Sequence, residues 1–108
     1  MARYAEGTSV TVESSRGEIT GILAKHGVIR MGWFTEPEGD VLQFELKGGS
    51  YRLRMTRPTI TEIRRLYPNA RDENAKLAGE WRRRWRANVL LLKAKLEFAD
   101  GETSTVER

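Results

Sequence analysis

The sequence predicts an α+β fold: a small antiparallel β-meander packed by a short N-terminal helix and a long C-terminal helix. Three patterns carry this. Apolar residues recur at helical spacing between a cap and a glycine near the start, two-residue alternation runs through residues 28 to 56, and an apolar stripe of helical period begins near Glu73. With 108 residues, 39% hydrophobic and 31% charged, the chain suits one modest core. Residues 1 to 108 therefore read as a single domain, with a frayed polar tail from Glu102 to Arg108.

Ser9-Val10-Thr11-Val12 reads as a brief edge strand. Ser15 and Glu18 stand in capping-box spacing, which predicts a helix from about Arg16 to His26. Ile19, Ile22, Leu23 and His26 fall on one face of it, and Gly27 suits the left-handed position after its end. In Val28 to Phe34 the residues Ile29, Met31 and Trp33 share one face, leaving Arg30 and Gly32 on the other; Glu36 to Asp40 then reads as a turn. In Val41 to Lys47 the apolar set is Leu42, Phe44 and Leu46, and Gly48-Gly49 fits a two-residue hairpin turn. That turn sets Leu46, Phe44 and Leu42 opposite Tyr51, Leu53 and Met55, with Glu45 facing Arg52 and Gln43 facing Arg54.

Pro58 closes the sheet segment, and Thr59 to Tyr67 reads as a short helix with Thr59 and Glu62 in capping-box spacing and Pro68 as its stop. Asp72 caps the longest element, from about Glu73 to Ala99, which Gly101 should end. Its stripe is Leu77, Trp81, Trp85, Asn88, Val89, Leu92, Leu96 and Ala99, widened by Leu91, Phe98, Ala87 and Ala94. The position of Trp81 and Trp85 on this stripe favours core packing over base stacking. Because the apolar arc exceeds half the circumference, its surplus points to a second layer of contacts or to another copy, with Leu91, Ala94 and Phe98 as the candidate homodimer interface.

Several function classes are disfavoured. There are no cysteines and one histidine, so disulfides, thiolate metal sites and imidazole pairs are excluded, and no cofactor or metal is expected. Glu36, Glu38 and Asp40 are the one acidic cluster, but Pro37 and Gly39 explain the segment as a turn. No motif groups a serine with a base and an acid, so the protein is not expected to be an enzyme. No apolar run reaches the length of a membrane span, and the start lacks the apolar stretch of a signal peptide. A soluble protein with no membrane partner is expected.

The net charge is +4 and unevenly placed: residues 1 to 50 carry 5 Lys+Arg against 7 Asp+Glu, whereas residues 51 to 108 carry 14 against 8. On a helical wheel Arg82, Arg86 and Lys93 form a cationic ridge opposite the tryptophans, suited to successive phosphates. Arg30, Arg52 and Arg54 are expected on the outward face of the sheet, where arginines beside an aromatic make a platform for single strands. The plainer alternative is a solvated helix face with Glu80–Arg84 and Lys93–Glu97 pairs, plus ordinary cross-strand pairs such as Glu45 with Arg52.

Two segments add a resemblance: Ala5-Glu6-Gly7-Thr8-Ser9-Val10 leading into the first helix, and Trp81-Arg82-Arg83-Arg84-Trp85-Arg86 followed by Leu92-Lys93-Ala94-Lys95-Leu96-Glu97. With Leu42-Gln43-Phe44 and Tyr51-Arg52-Leu53, they span most of a chain that resembles a family of small phage and mobile-element proteins without an established activity. Similar proteins carry a more acidic, apolar extension after the long helix, where this chain stops at Arg108; its lack would leave apolar helix surface open. The resemblance implies action in a host cytoplasm, on nucleic acid or on a host protein, and supplies no active site. The expected function is a non-enzymatic nucleic-acid-binding accessory protein, with single strands favoured, using Arg30, Arg52, Arg54, Arg82, Arg86 and Lys93. The alternative is a homodimeric factor that modulates or inhibits a host protein, such as a defence protein.

Overall fold

The computed structural model describes residues 8–106, with side chains through residue 97. Its elements run α1 (Val12–Lys25), β1 (Arg30–Glu36), β2 (Gly39–Leu46), β3 (Gly49–Thr56), α2 (Ile60–Leu66) and α3 (Glu73–Val106). The strands form one antiparallel sheet in the order β1-β2-β3. This is the expected meander, and α1 and α3 pack together over one of its faces.

Helix α1 starts earlier than the Ser15–Glu18 spacing predicts. Thr11 is the N-cap, its hydroxyl accepting from the Ser14 N–H at 3.1 Å, and no strand forms at residues 9–12. Starting there brings Val12 and Ser15 onto the stripe that also holds Ile19 and Leu23, so another turn of helix packs on the core. Glu18, released from any capping role, reaches Arg86 of α3 at 2.7 Å. The other end is as expected. Gly27 sits at φ 77°, its N–H donates to the Ala24 carbonyl at 3.1 Å, and the Val28 N–H donates to the Leu23 carbonyl at 2.9 Å, the two bonds of a Schellman stop.

The alternation assigns the sheet faces correctly. Met31, Trp33, Leu42, Phe44, Leu53 and Met55 meet Ile19 and Leu23 of α1 and Trp85, Val89 and Leu92 of α3. The register of the second hairpin differs by two residues: Leu46 pairs with Gly49, Phe44 with Tyr51, Leu42 with Leu53, Glu45 with Ser50 and Gln43 with Arg52. The turn is therefore Lys47-Gly48, with Gly48 at φ 105°. A shift of two leaves every side chain on its own face, so alternation alone could not detect it. The observed register places Phe44 directly opposite Tyr51, with stacked rings 5.4 Å apart, a favourable cross-strand pair. The first turn is also tighter than expected, Pro37-Glu38 alone, because Glu36 pairs with Gly39. Ile29, expected to face the core, precedes β1 and is 61% exposed.

Helix α2 has the expected capping box: Thr59 accepts from the Glu62 N–H at 3.1 Å, and Glu62 accepts from the Thr59 N–H at 3.0 Å. Asp72 caps α3 through the Ala75 N–H at 3.0 Å. Its 34 residues correspond to about 51 Å of helix. Gly101 does not end it, and residues 102–106, read from the sequence as a frayed tail, continue it. A glycine costs a helix only about 1 kcal/mol relative to alanine, too little to stop it without a competing cap. None of the described helices is long and apolar enough to cross a membrane.

Arg84 fastens α2 and the end of β3 to α3, donating to Glu62 at 2.9 Å and to the Thr56 carbonyl at 2.8 Å. The Arg84 hydrogen bond holds the Glu62 carboxyl below its ordinary value of 4.5, against an opposing push from partial burial and with help from the Thr59 N–H. Since the folded-state value lies below the unfolded one, the ionised carboxylate stabilises the fold at neutral pH. That contribution is lost as pH falls from the ordinary value through the lowered one. Glu62→Gln should therefore lower the urea midpoint at neutral pH, and the gap from the parent should close in acid; a gap that persists in acid contradicts this linkage.

Candidate nucleic-acid interface

The outward face of the sheet is built by the residues that alternate with the core set. Its rows, read across β1, β2 and β3, are Arg30–Glu45–Ser50, Gly32–Gln43–Arg52 and Phe34–Val41–Arg54. The packed helices α1 and α3 lie on the other side, and on this face Arg30, Phe34, Gln43, Arg52 and Arg54 are exposed, while Val41, between Phe34 and Arg54, is buried. Phe34 is 50% exposed, and its ring folds back over its neighbour in the same strand: a Cβ added at Gly32 would lie 3.4 Å from the ring. The result is an open depression of about 640 Å³ lined by Arg30, Phe34, Gln43, Glu45, Ser50 and Arg52, among others.

Each arginine of this face has a neighbour. Arg30 Nε lies 3.3 Å from Glu45, and Arg54 Nη1 lies 3.4 Å from Glu36. The Gln43 amide, oriented by its hydrogen bonds, accepts from Arg52 Nη2 at 2.7 Å and from Nε at 3.3 Å. The two carboxylate contacts are long, and the Arg30 side chain is 81% exposed. Exposed pairs of this kind contribute about 0 to 1 kcal/mol, so a phosphate can displace the carboxylate at small cost.

The basic ridge expected on α3 does not exist as one surface. Arg86 turns toward α1 and donates to Glu18 at 2.7 Å, with its side chain only 22% exposed. Arg82 is half-buried in a separate depression beside Tyr67, Lys76 and Gly79, while Lys93 is exposed further along the helix. A helical wheel shows which residues share a direction but not what stands in that direction, here an acid from a distant segment. Because α3 packs on the inner face, these three residues lie across the sheet from Arg30, Arg52 and Arg54, and the two basic sets are not continuous.

Trp81 and Trp85 belong to the core, as expected; Trp85 stacks on Trp33 at 5.5 Å and meets Trp81 edge-on at 5.8 Å. The acidic turn is split between two faces. Glu36 meets Arg54 outside, whereas Asp40 is buried with Arg57 at 3.7 Å. Of the candidate dimer residues, Leu91 is 50% exposed and Ala94 is exposed, while the Phe98 side chain lies outside the described residues. Phe34 is not among the residues the sequence singles out, although its parity with Arg30 and Gly32 already places it on the outer face. No family model, curated protein or solved structure matches the chain.

Proposed function

We propose that the protein is a non-enzymatic accessory factor that binds single-stranded nucleic acid on the outer face of its sheet, in the host-cytoplasm setting its phage resemblance implies. One observation carries the reading: the sheet face turned away from α1 and α3 combines an exposed aromatic ring, Phe34, with the exposed Arg30, Arg52 and Arg54. The ring supplies a stacking surface that any base can use, and the guanidinium groups follow the backbone. Duplexes fit this arrangement less well, since their bases are already stacked.

Three phosphate contacts on a single strand give a log-log salt slope of about −2. Titration of labelled single- and double-stranded oligonucleotides should show that dependence and favour the single strand. Phe34→Ala should weaken binding about tenfold. Charge reversal at Arg52 and Arg54 should abolish it with an unchanged circular dichroism spectrum. Absence of binding at low salt would overturn the proposal.

A second reading, a protein-binding factor that pairs with another copy through α3, rests on Leu91 standing half-exposed beside Ala94 on that helix. Light scattering tests it, and a monomer at high concentration would remove its basis.

A further inference from the structure

We propose that the outer-face depression selects guanine among the bases of a bound strand. This deepens the single-strand reading and rests on it. Gly32, on the edge strand β1, has no side chain, and the Phe34 ring folds over it to form one wall of the depression that Arg52 and Glu45 also line. A flat base stacked on Phe34 would place its polar edges against a guanidinium and a carboxylate.

Those two groups have one-sided chemistry. A guanidinium only donates and an ionised carboxylate only accepts. Guanine matches both. Its O6 and N7 are adjacent acceptors for the guanidinium N–H groups of Arg52 that Gln43 leaves unused, and its N1–H and N2–H₂ are adjacent donors that one carboxylate, Glu45, can take together. Thymine and uracil present a single N–H between two carbonyl oxygens, which a carboxylate would repel. Cytosine offers the carboxylate only its N4 amino group. Adenine is best read by a glutamine using both ends of its amide, but the Gln43 oxygen is already held by Arg52 at 2.7 Å. Glu45 is free to change partners, because its contact with the highly exposed Arg30 is a single 3.3 Å approach.

The test is fluorescence anisotropy with short labelled oligothymidines that carry one central guanine, adenine or cytosine, compared with the all-thymidine strand. The guanine strand should bind about tenfold more tightly than the others, the discrimination expected of one good bidentate contact. Glu45→Gln should bring the guanine strand level with the rest, since any gain from releasing Arg30 to the phosphates is shared by all four strands and only the guanine contact is lost. Equal affinities for all four strands, or a preference for adenine or cytosine, would overturn the guanine assignment and leave the single-strand reading standing. No binding by any strand would overturn both. A guanine preference that survives Glu45→Gln would overturn the assignment of Glu45 as its reader.

Discussion

Trp85→Ala should lower the stability of the protein by about 3 to 5 kcal/mol, a large part of the roughly 5 to 15 kcal/mol that holds a domain folded. Trp85 is fully buried and its ring joins the layers: it stacks on Trp33 of β1 at 5.5 Å and 28°, and Trp81 of its own helix meets it edge-on at 5.8 Å and 87°. The chain of contacts continues outward, with Arg16 of α1 over the Trp33 ring at 4.4 Å and Arg57 over the Trp81 ring at 5.0 Å. Removing the central ring leaves both tryptophans without their partner and opens a cavity that a two-helix layer cannot close. Thermal unfolding should move down by about 15 °C or more. Trp85→Phe should cost much less, because Trp85 Nε1–H has no hydrogen-bond partner among the described residues and phenylalanine removes that buried donor while keeping most of the ring. Equal losses for the two variants would mean that the core depends on the full two-ring width of the indole, which a phenyl ring does not supply, and would overturn the expectation for Trp85→Phe.

This junction was legible in the sequence, and the contrast with what was not is physical. Trp81, Trp85 and Val89 repeat at one turn of helix and Met31 and Trp33 at one strand repeat, and these periods follow from backbone geometry alone. Parity likewise placed Arg30, Arg52 and Arg54 outside. Quantities that periodicity leaves undetermined went differently. Thr11 and Ser15 are both acceptable caps, and packing of Val12 decided between them. The hairpin could close at Gly48-Gly49 or at Lys47-Gly48 with the same faces inward, and the Phe44–Tyr51 stack accompanies the second. Long-range polar partners are the least legible. Nothing near Arg86 in the sequence announces Glu18, and nothing near Glu62 announces Arg84.

Glu80→Ala is the second substitution expected to be severe, for an electrostatic reason. The Glu80 side chain is only 1% exposed and lies among cations: it accepts from Arg83 Nε at 3.1 Å and Nη2 at 3.0 Å, and from Arg84 Nε at 3.0 Å. Both arginine side chains are themselves largely buried, at 18% and 17% exposed. Burying such a group is no bargain in itself, since desolvation offsets much of the attraction, but removing the carboxylate takes from two largely buried guanidinium groups the acceptor they share. The alanine variant should lose about 3 to 5 kcal/mol in urea denaturation at neutral pH. Glu80→Gln, which keeps one acceptor oxygen and drops the charge, should fall between it and the parent. The damage should also spread, because Arg84 holds Glu62 of α2 and the Thr56 carbonyl at the end of β3, so α2 should exchange its amide hydrogens faster than α1 does. Adding Arg83→Ala to Glu80→Ala should cost less than the two single losses summed, since both single changes already remove the same Glu80–Arg83 contact. Strict additivity, or a loss under about 1 kcal/mol for Glu80→Ala, would make this cluster no more than an ordinary solvent-exposed pairing.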